Sequence, residues 1–278
     1  MRRRDFVAAS LALTAVPAWA APIRNGRLVI KSAMEQGSLA LGYTERGATV
    51  TVDGQNVRLS PDGVFAFGFA YDQTKPSTVA VTWSDGTVET QSYTPIARQY
   101  EIQHVNGLPQ NTVTPPPEVL ARIKQEAEAI YLARQHDTAG ADFLSGFDWP
   151  APGIESGVFG SQRIDNGVPM TPHFGVDMAA PTGTPIHAPA AGTVSLSADH
   201  YLNGGFTLID HGQGVSTSYL HQSERLVKDG DVVRRGQLIG RIGQTGRATG
   251  PHLHWAMNWF EVKLDPSRST RRQKPDAL

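Results

Sequence analysis

Between Leu28 and Ser92 the chain alternates apolar and polar residues in short runs, each stopped by a turn signal. "ATVTV" runs into Asp53-Gly54, "VRLS" into Pro61-Asp62-Gly63 and "VFAFGF", and "TVAVTW" into Asp85-Gly86 and "TVETQSY". A two-residue period sends successive side chains to opposite faces of a strand. Asp-Gly supplies the positive φ angles that a tight hairpin needs. Runs this short, rich in β-branched residues, cannot hold a long amphipathic helix. The pattern predicts a small β-sandwich over residues 21–98, with roughly 70 residues in its strands and turns. It carries no cluster of titratable residues, so an accessory packing or binding module is expected.

The texture then changes twice. Residues 99–143 contain the proline-rich "GLPQNTVTPPP" followed by "EVLARIKQEAEAIYLARQ". The first is expected to be extended. The second places Leu120, Ile123, Ala127 and Ile130 on one helical stripe, with Pro117 just before the helix, and predicts a single helix that docks two domains. From about Phe143 glycine density rises, and "GTVSLSA", "FTLIDH", "STSYLH" and "HLHWAM" recur between glycine turns. Residues 144–268 therefore read as a second, antiparallel all-β domain, and 269–278 as a charged tail. The fold class expected is mainly β.

"MRRRDFVAASLALTAVPAWA" has a basic start, an apolar stretch too short to span a bilayer, and small residues around Trp19. That is the layout of a cleavable signal peptide over residues 1–20. Arg3-Arg4-Asp5-Phe6 suggests the twin-arginine route, with the general secretory route as the alternative. The mature chain is expected outside the cytoplasm, most readily in a periplasm, as a monomer with no transmembrane segment. Lys and Arg total 25 against 26 Asp and Glu, so no electrostatic case exists for nucleic acid or membrane binding. There is no cysteine, so the fold is held by packing alone and any metal site must use imidazole and carboxylate.

Of nine histidines, His104, His136, His187, His200 and His211 sit where a structural role suffices. The others form a pattern. In "PHFGVDM", His173 and Asp177 are four apart in a segment whose glycine and nearby prolines favour an extended course. In "GPHLHW", His252 and His254 are two apart, and His221 ends "STSYLH". Even separations put each pair on one face of a strand. Zinc takes neutral imidazole nitrogen and carboxylate oxygen, and a catalytic site supplies three protein ligands with the fourth position left to water. His173, Asp177 and one histidine of the His-Leu-His pair satisfy that count. The other histidine and His221 would then stand beside the water, placed for proton transfer or charge stabilisation.

Three blocks, "HFGVDMAAPTGTPIHAPAAGTV", "LIDHGQGVSTSYLH" and "GQLIGRIGQTGRATGPHLHW", resemble the successive motifs of the lysostaphin-like, LytM-type zinc metallopeptidases, which cut peptide bonds in bacterial peptidoglycan. The resemblance covers roughly residues 144–266. The upstream module and "QYEIQHVNGLPQNTVTPPPE" are similar to the N-terminal region of a periplasmic branch of that family. The resemblance implies that His173, Asp177 and His254 bind zinc, and that His252 and His221 are catalytic. It gives His252 the part of general base toward zinc-bound water and His221 that of oxyanion stabiliser. Gly250 and Pro251 would shape the turn ahead of the His-Leu-His strand. The implied substrate is the stem peptide of peptidoglycan.

Two departures stand out. Many members of the family follow His-Leu-His and an aromatic residue with Glu, whereas Trp255 is followed here by Ala256, Met257 and Asn258. Some members use a tyrosine just ahead of the first block, and "SQRIDNGVPMTP" has none. The functional alternative is a catalytically silent wall-binding protein or an activator of other hydrolases, which would be expected to have lost some of these five residues. The connector offers a regulatory expectation: His104, Gln110 or Asn111 laid over the groove. A plain spacer is the alternative.

Overall fold

The computed structural model describes residues 27–271; the signal peptide expected over 1–20 and the end of the charged tail lie outside the described residues. The strands of the first unit are β1 (Leu28–Lys31), β2 (Leu39–Thr44), β3 (Thr49–Val52), β4 (Gln55–Val57), β5 (Val64–Gly68), β6 (Ser77–Thr82) and β7 (Val88–Tyr93). They form two antiparallel sheets, in the orders β1-β2-β5 and β4-β3-β6-β7. The alternation seen in the sequence becomes alternating burial in β2 and β6. Between the sheets Phe65 and Phe67 pack against Val50, Val52, Val79, Val81 and Trp83. This is the expected sandwich.

β5 departs from alternation because all five of its residues are buried. Phe65 and Phe67 face the sandwich core, while Ala66 on the opposite face joins the core of the second unit, with Leu39 and Leu41 beside it. At Gly68 the contact is so close that a Cβ would lie 2.8 Å from the Leu264 side chain. Arg98 donates to the buried carboxylate of Asp265 at 2.9 Å, and the Asp265 amide donates to the Gly37 carbonyl at 2.8 Å. The sandwich is thus fused to the second unit along a buried seam.

The connector is more structured than its composition predicts. It holds β8 (Ile102–Val105), one turn of helix α1 (Gln110–Val113) and helix α2 (Pro117–Arg134). Pro117 is the first helical residue, where its missing N–H costs nothing. The inward stripe of α2 differs from the predicted one. Ile130 and Ala133 pack on Phe206, Leu208, Leu196 and Leu220, while Leu120 is half exposed. Glu126 sits on the same inward side and accepts the Tyr201 amide at 2.9 Å, so a polar anchor occupies a place in the stripe.

The second unit comprises β9 (Ile154–Gly157), β10 (Gln162–Asp165), β11 (Val168–Pro169), β12 (Val176–Ala179), β13 (Pro185–His187), β14 (Gly192–His200), β15 (Gly204–Asp210), β16 (Val215–Arg225), β17 (Val232–Val233), β18 (Leu238–Ile242), β19 (His252–Trp259) and β20 (Val262–Leu264). Most join one antiparallel sheet running β17-β14-β15-β16-β19-β12-β9, with β18 also paired to β16 and β20 to β19. β10 stands apart, paired in parallel with β8 of the connector. One face of the sheet carries Met178, Ile209, Val215, Tyr219, Leu253, Trp255 and Met257 into the main core. His211, fully buried, belongs to that side. Its Nδ1–H donates to the Ala191 carbonyl at 2.6 Å, and its Nε2 accepts from Thr217, which lies 2.7 Å from the Tyr219 hydroxyl. The other face is a groove, and α2 covers its β14–β15 end. Among the described residues, no helix is long and apolar enough to cross a membrane.

Candidate metal centre

β12 and β19 pair with Asp177 directly opposite His254 and Ala179 opposite His252. Because Leu253, Trp255 and Met257 enter the core, His252, His254, Ala256 and Asn258 all face the groove. His173 lies in the loop before β12 rather than on the strand itself. Its backbone is pinned on both sides: its amide donates to the Ser161 carbonyl at 2.8 Å and its carbonyl accepts from the Gly160 amide at 2.7 Å.

Three donor atoms converge at this point. His173 Nε2 is 3.0 Å from Asp177 Oδ1 and 2.8 Å from His254 Nδ1, and His254 Nδ1 is 2.8 Å from Asp177 Oδ1. Among the described residues this is the one group of three or more His, Asp and Glu side chains arranged closely enough to hold a metal ion. The tautomers suit that use. A carbonyl can only accept, so the 3.1 Å contact of His173 Nδ1 with Val158 O makes Nδ1 the donor and turns Nε2 toward Asp177 and His254. Burial of Asp177 disfavours its charge, but His173 and His254 outweigh that and hold the carboxyl well below its usual range. Burial lowers His254 to about 4, so it is neutral at ordinary pH. Two imidazoles and one carboxylate form the donor set zinc takes in a three-ligand site.

His252 and His221 complete the cluster, their rings 4.7 Å apart. His252 Nδ1–H donates to the Gly250 carbonyl at 2.9 Å, and its Nε2 faces inward, 3.9 Å from Asp177 Oδ1. His221 donates through Nδ1–H to the Thr245 carbonyl at 2.8 Å, which leaves its Nε2 free. Burial, reinforced by His252 and His254, lowers His221 to about 3. His221 reaches the groove by a backbone device. Val215 and Tyr219 of β16 enter the core, so strict alternation would send residue 221 there too. Instead its φ is +64°, rare for a residue with a side chain, at the point where β16 leaves β19 and pairs with β18.

His104, His136, His187, His200 and His211 stay outside the cluster. Of the connector residues, Gln103, Val105 and Leu108 wall a cavity of about 110 Å³ shared with His252, Asp177 and Arg247. His104 is exposed, Gln110 faces Asn166, and the Asn111 backbone holds Tyr201. Sequence reasoning missed three neighbours. Arg163 on β10 pairs with the second carboxylate oxygen of Asp177. A Cβ on Gly157 would lie 2.4 Å from Asp177 Oδ2, and one on Gly175 would lie 2.5 Å from His254 Nε2. The glycines were visible next to the motifs, but nothing local marked Arg163.

Residues 171–266 match the family model described as peptidase family M23. The chain is 47% identical over 88 residues to the peptidoglycan DD-endopeptidase ShyA of Vibrio cholerae, covering 32% of this chain and 20% of that protein. It is 45% identical over 83 residues to the DD-carboxypeptidase/endopeptidase Mpg of Neisseria meningitidis, covering 30% and 19%. The chain thus spans about a fifth of the length of these curated relatives. The crystal structure of a Pseudomonas aeruginosa protein assigned to peptidase M23 superposes with a TM-score of 0.65 at 29% identity, covering 84% of this chain and 93% of that one. Residues 171–266 thus carry a peptidase family M23 domain, and most of the chain shares its fold with the Pseudomonas aeruginosa structure.

Proposed function

We propose that the protein is an exported zinc metalloendopeptidase that hydrolyses peptide crosslinks of peptidoglycan, with His173, Asp177 and His254 as metal ligands. The observation that carries this reading is the convergence of His173 Nε2, Asp177 Oδ1 and His254 Nδ1 with two further imidazoles in contact. Zinc, when bound, supplies Lewis acidity that lowers the pKa of water and polarises a carbonyl. The chain's own residues do the rest. His252, held by the Gly250 carbonyl, turns its Nε2 toward Asp177 and accepts the proton from the attacking water. It later returns that proton to the departing amine. His221, anchored through Thr245, stands beside His252 in the same cluster and is assigned to the oxyanion side of the reaction. Arg163 and the glycines at 157 and 175 keep Asp177 and His254 in place.

The names of the relatives support the substrate class, and the expected signal peptide supports a periplasmic location. Digestion of purified crosslinked peptidoglycan tests the reading. The wild type is expected to release uncrosslinked muropeptides. A chelator should abolish this and added zinc should restore it. His252→Ala should lower kcat by about 10²–10⁴-fold. Activity that survives both the substitution and the chelator would overturn the mechanism. A purified zinc-loaded wild type that binds peptidoglycan without cutting it would favour the silent wall-binding alternative.

A further inference from the structure

Beyond His254, the groove face of β19 continues to Ala256 and Asn258, and there it opens into a second cavity of about 140 Å³. Arg134, the last residue of α2, and Lys263 of β20 both reach into it. Ala256 brings no charge and little volume, and Asn203 and Asn258 add amide groups to the wall. The arrangement is cationic, small and adjacent to a metal ligand.

The two cations are poorly paired. Their shared counter-charge, Glu261, is 44% exposed and lies 3.6 Å from Arg134 Nη1 and 4.0 Å from Lys263 Nζ. Glu261 also accepts a long bond from Gln135 at 3.4 Å. Arg134 is 13% exposed, and its buried Nε has no hydrogen-bond partner among the described residues. The Asn258 amide, turned with its oxygen toward Lys263, is 3.3 Å from Nζ and still leaves the ammonium with donors to spare. Burial lowers Lys263 to about 8 and pulls Arg134 down as well. Desolvated cations sharing one distant carboxylate are held at a cost that an incoming anion relieves. An Arg fork and an ammonium beside it match a carboxylate. The cavity shares Phe174 and Lys263 with a wider groove of about 650 Å³ that runs along Tyr71 and Pro172, so a peptide has a path in.

We propose that Arg134 and Lys263, with Asn258, form a carboxylate-binding subsite next to the metal centre, so that the protein selects peptides bearing a free carboxylate close to the bond it cuts. The inference rests on the peptidase reading above and names a substrate feature for the same groove.

The test compares a short crosslinked muropeptide having free carboxylates with the same peptide converted to carboxamides. The wild type is expected to prefer the acid by about tenfold or more in kcat/KM, the size of a charge-assisted contact in a partly desolvated site. Lys263→Met and Arg134→Gln should collapse that ratio to about twofold, and Arg134→Lys should keep part of it. Equilibrium binding of both peptides to full-length His252→Ala gives a readout without turnover, and tighter binding of the acid is expected. Equal binding of acid and amide would overturn the proposal, as would equal kcat/KM for the wild type. The wild-type ratio requires no substitution, so a variant that fails to fold leaves the proposal exposed to refutation. If the wild type cuts neither peptide but binding still favours the acid, the peptidase reading fails and the subsite stands.

Discussion

At the scale of single residues, the proposed metal centre depends on atoms that are missing as much as on those present. Gly175 has no Cβ, and adding one would place it 2.5 Å from His254 Nε2 and 2.7 Å from the Trp255 carbonyl. Gly175→Ala is therefore expected to displace the His254 ring and lower zinc affinity by roughly 10–100-fold, checked by metal titration. A second residue sets acid sensitivity. His211 is fully buried and burial lowers its pKa to about 4, against 6.5 for the free group. The unfolded chain therefore binds this proton first. The neutral form contributes full stability above about pH 6.5, and stability falls as pH drops from there toward 4, by an amount on the order of 3 kcal/mol for this group. His211→Asn, which keeps a donor for Ala191, should shrink the loss of stability between pH 7.5 and 5 in denaturant melts. An unchanged pH slope would exclude His211 as its source.

At the scale of elements, α2 shows where helical periodicity is informative and where it misleads. The sequence stripe of Leu120, Ile123, Ala127 and Ile130 is sound as a helix signal, and a helix forms. Its orientation is set by what lies beneath it: Phe206 and Leu208 take Ile130 and Ala133, and the Tyr201 amide takes Glu126. Ile130→Ala should then cost about 1–2 kcal/mol. Leu120→Ala, at a half-exposed position, should stay within about 0.5 kcal/mol. Chemical denaturation of the two variants separates the stripes. The strand β8 carries a similar lesson. The proline-rich stretch after it is expected to be extended, yet Gln110–Val113 forms a helical turn, while β8 itself pairs in parallel with β10 and becomes a wall of the small cavity beside His252.

At the scale of the whole molecule, the two β units share a seam rather than a tether. β5 serves both cores, and Arg98 crosses between them to a buried Asp265. Removing the guanidinium strands that carboxylate, so Arg98→Met should destabilise the protein by about 2–3 kcal/mol. Thermal unfolding of the wild type should be one cooperative transition, with circular dichroism and tryptophan fluorescence coincident. Two separated transitions would show that the seam does not couple the units. The proposed carboxylate subsite belongs to this scale as well, since Arg134 comes from the connector helix and Lys263 from the sheet.

What the sequence determined by itself was everything governed by local period and side-chain chemistry. Alternation with Asp-Gly turns set short strands, absence of cysteine limited any metal donors to imidazole and carboxylate, and the two-residue spacing of His252 and His254 put both on one face. Tertiary structure alone decided the rest, because each remaining feature depends on pairing between distant segments. The register of β12 against β19 places Asp177 opposite His254, and a positive φ where β16 changes partner turns His221 into the groove. Arg163 meets Asp177, and Arg134 meets Lys263, only after separate elements have packed. Side-chain parity along one strand is a property of the strand; which strand lies beside it is set by hydrogen bonds and burial across the whole molecule.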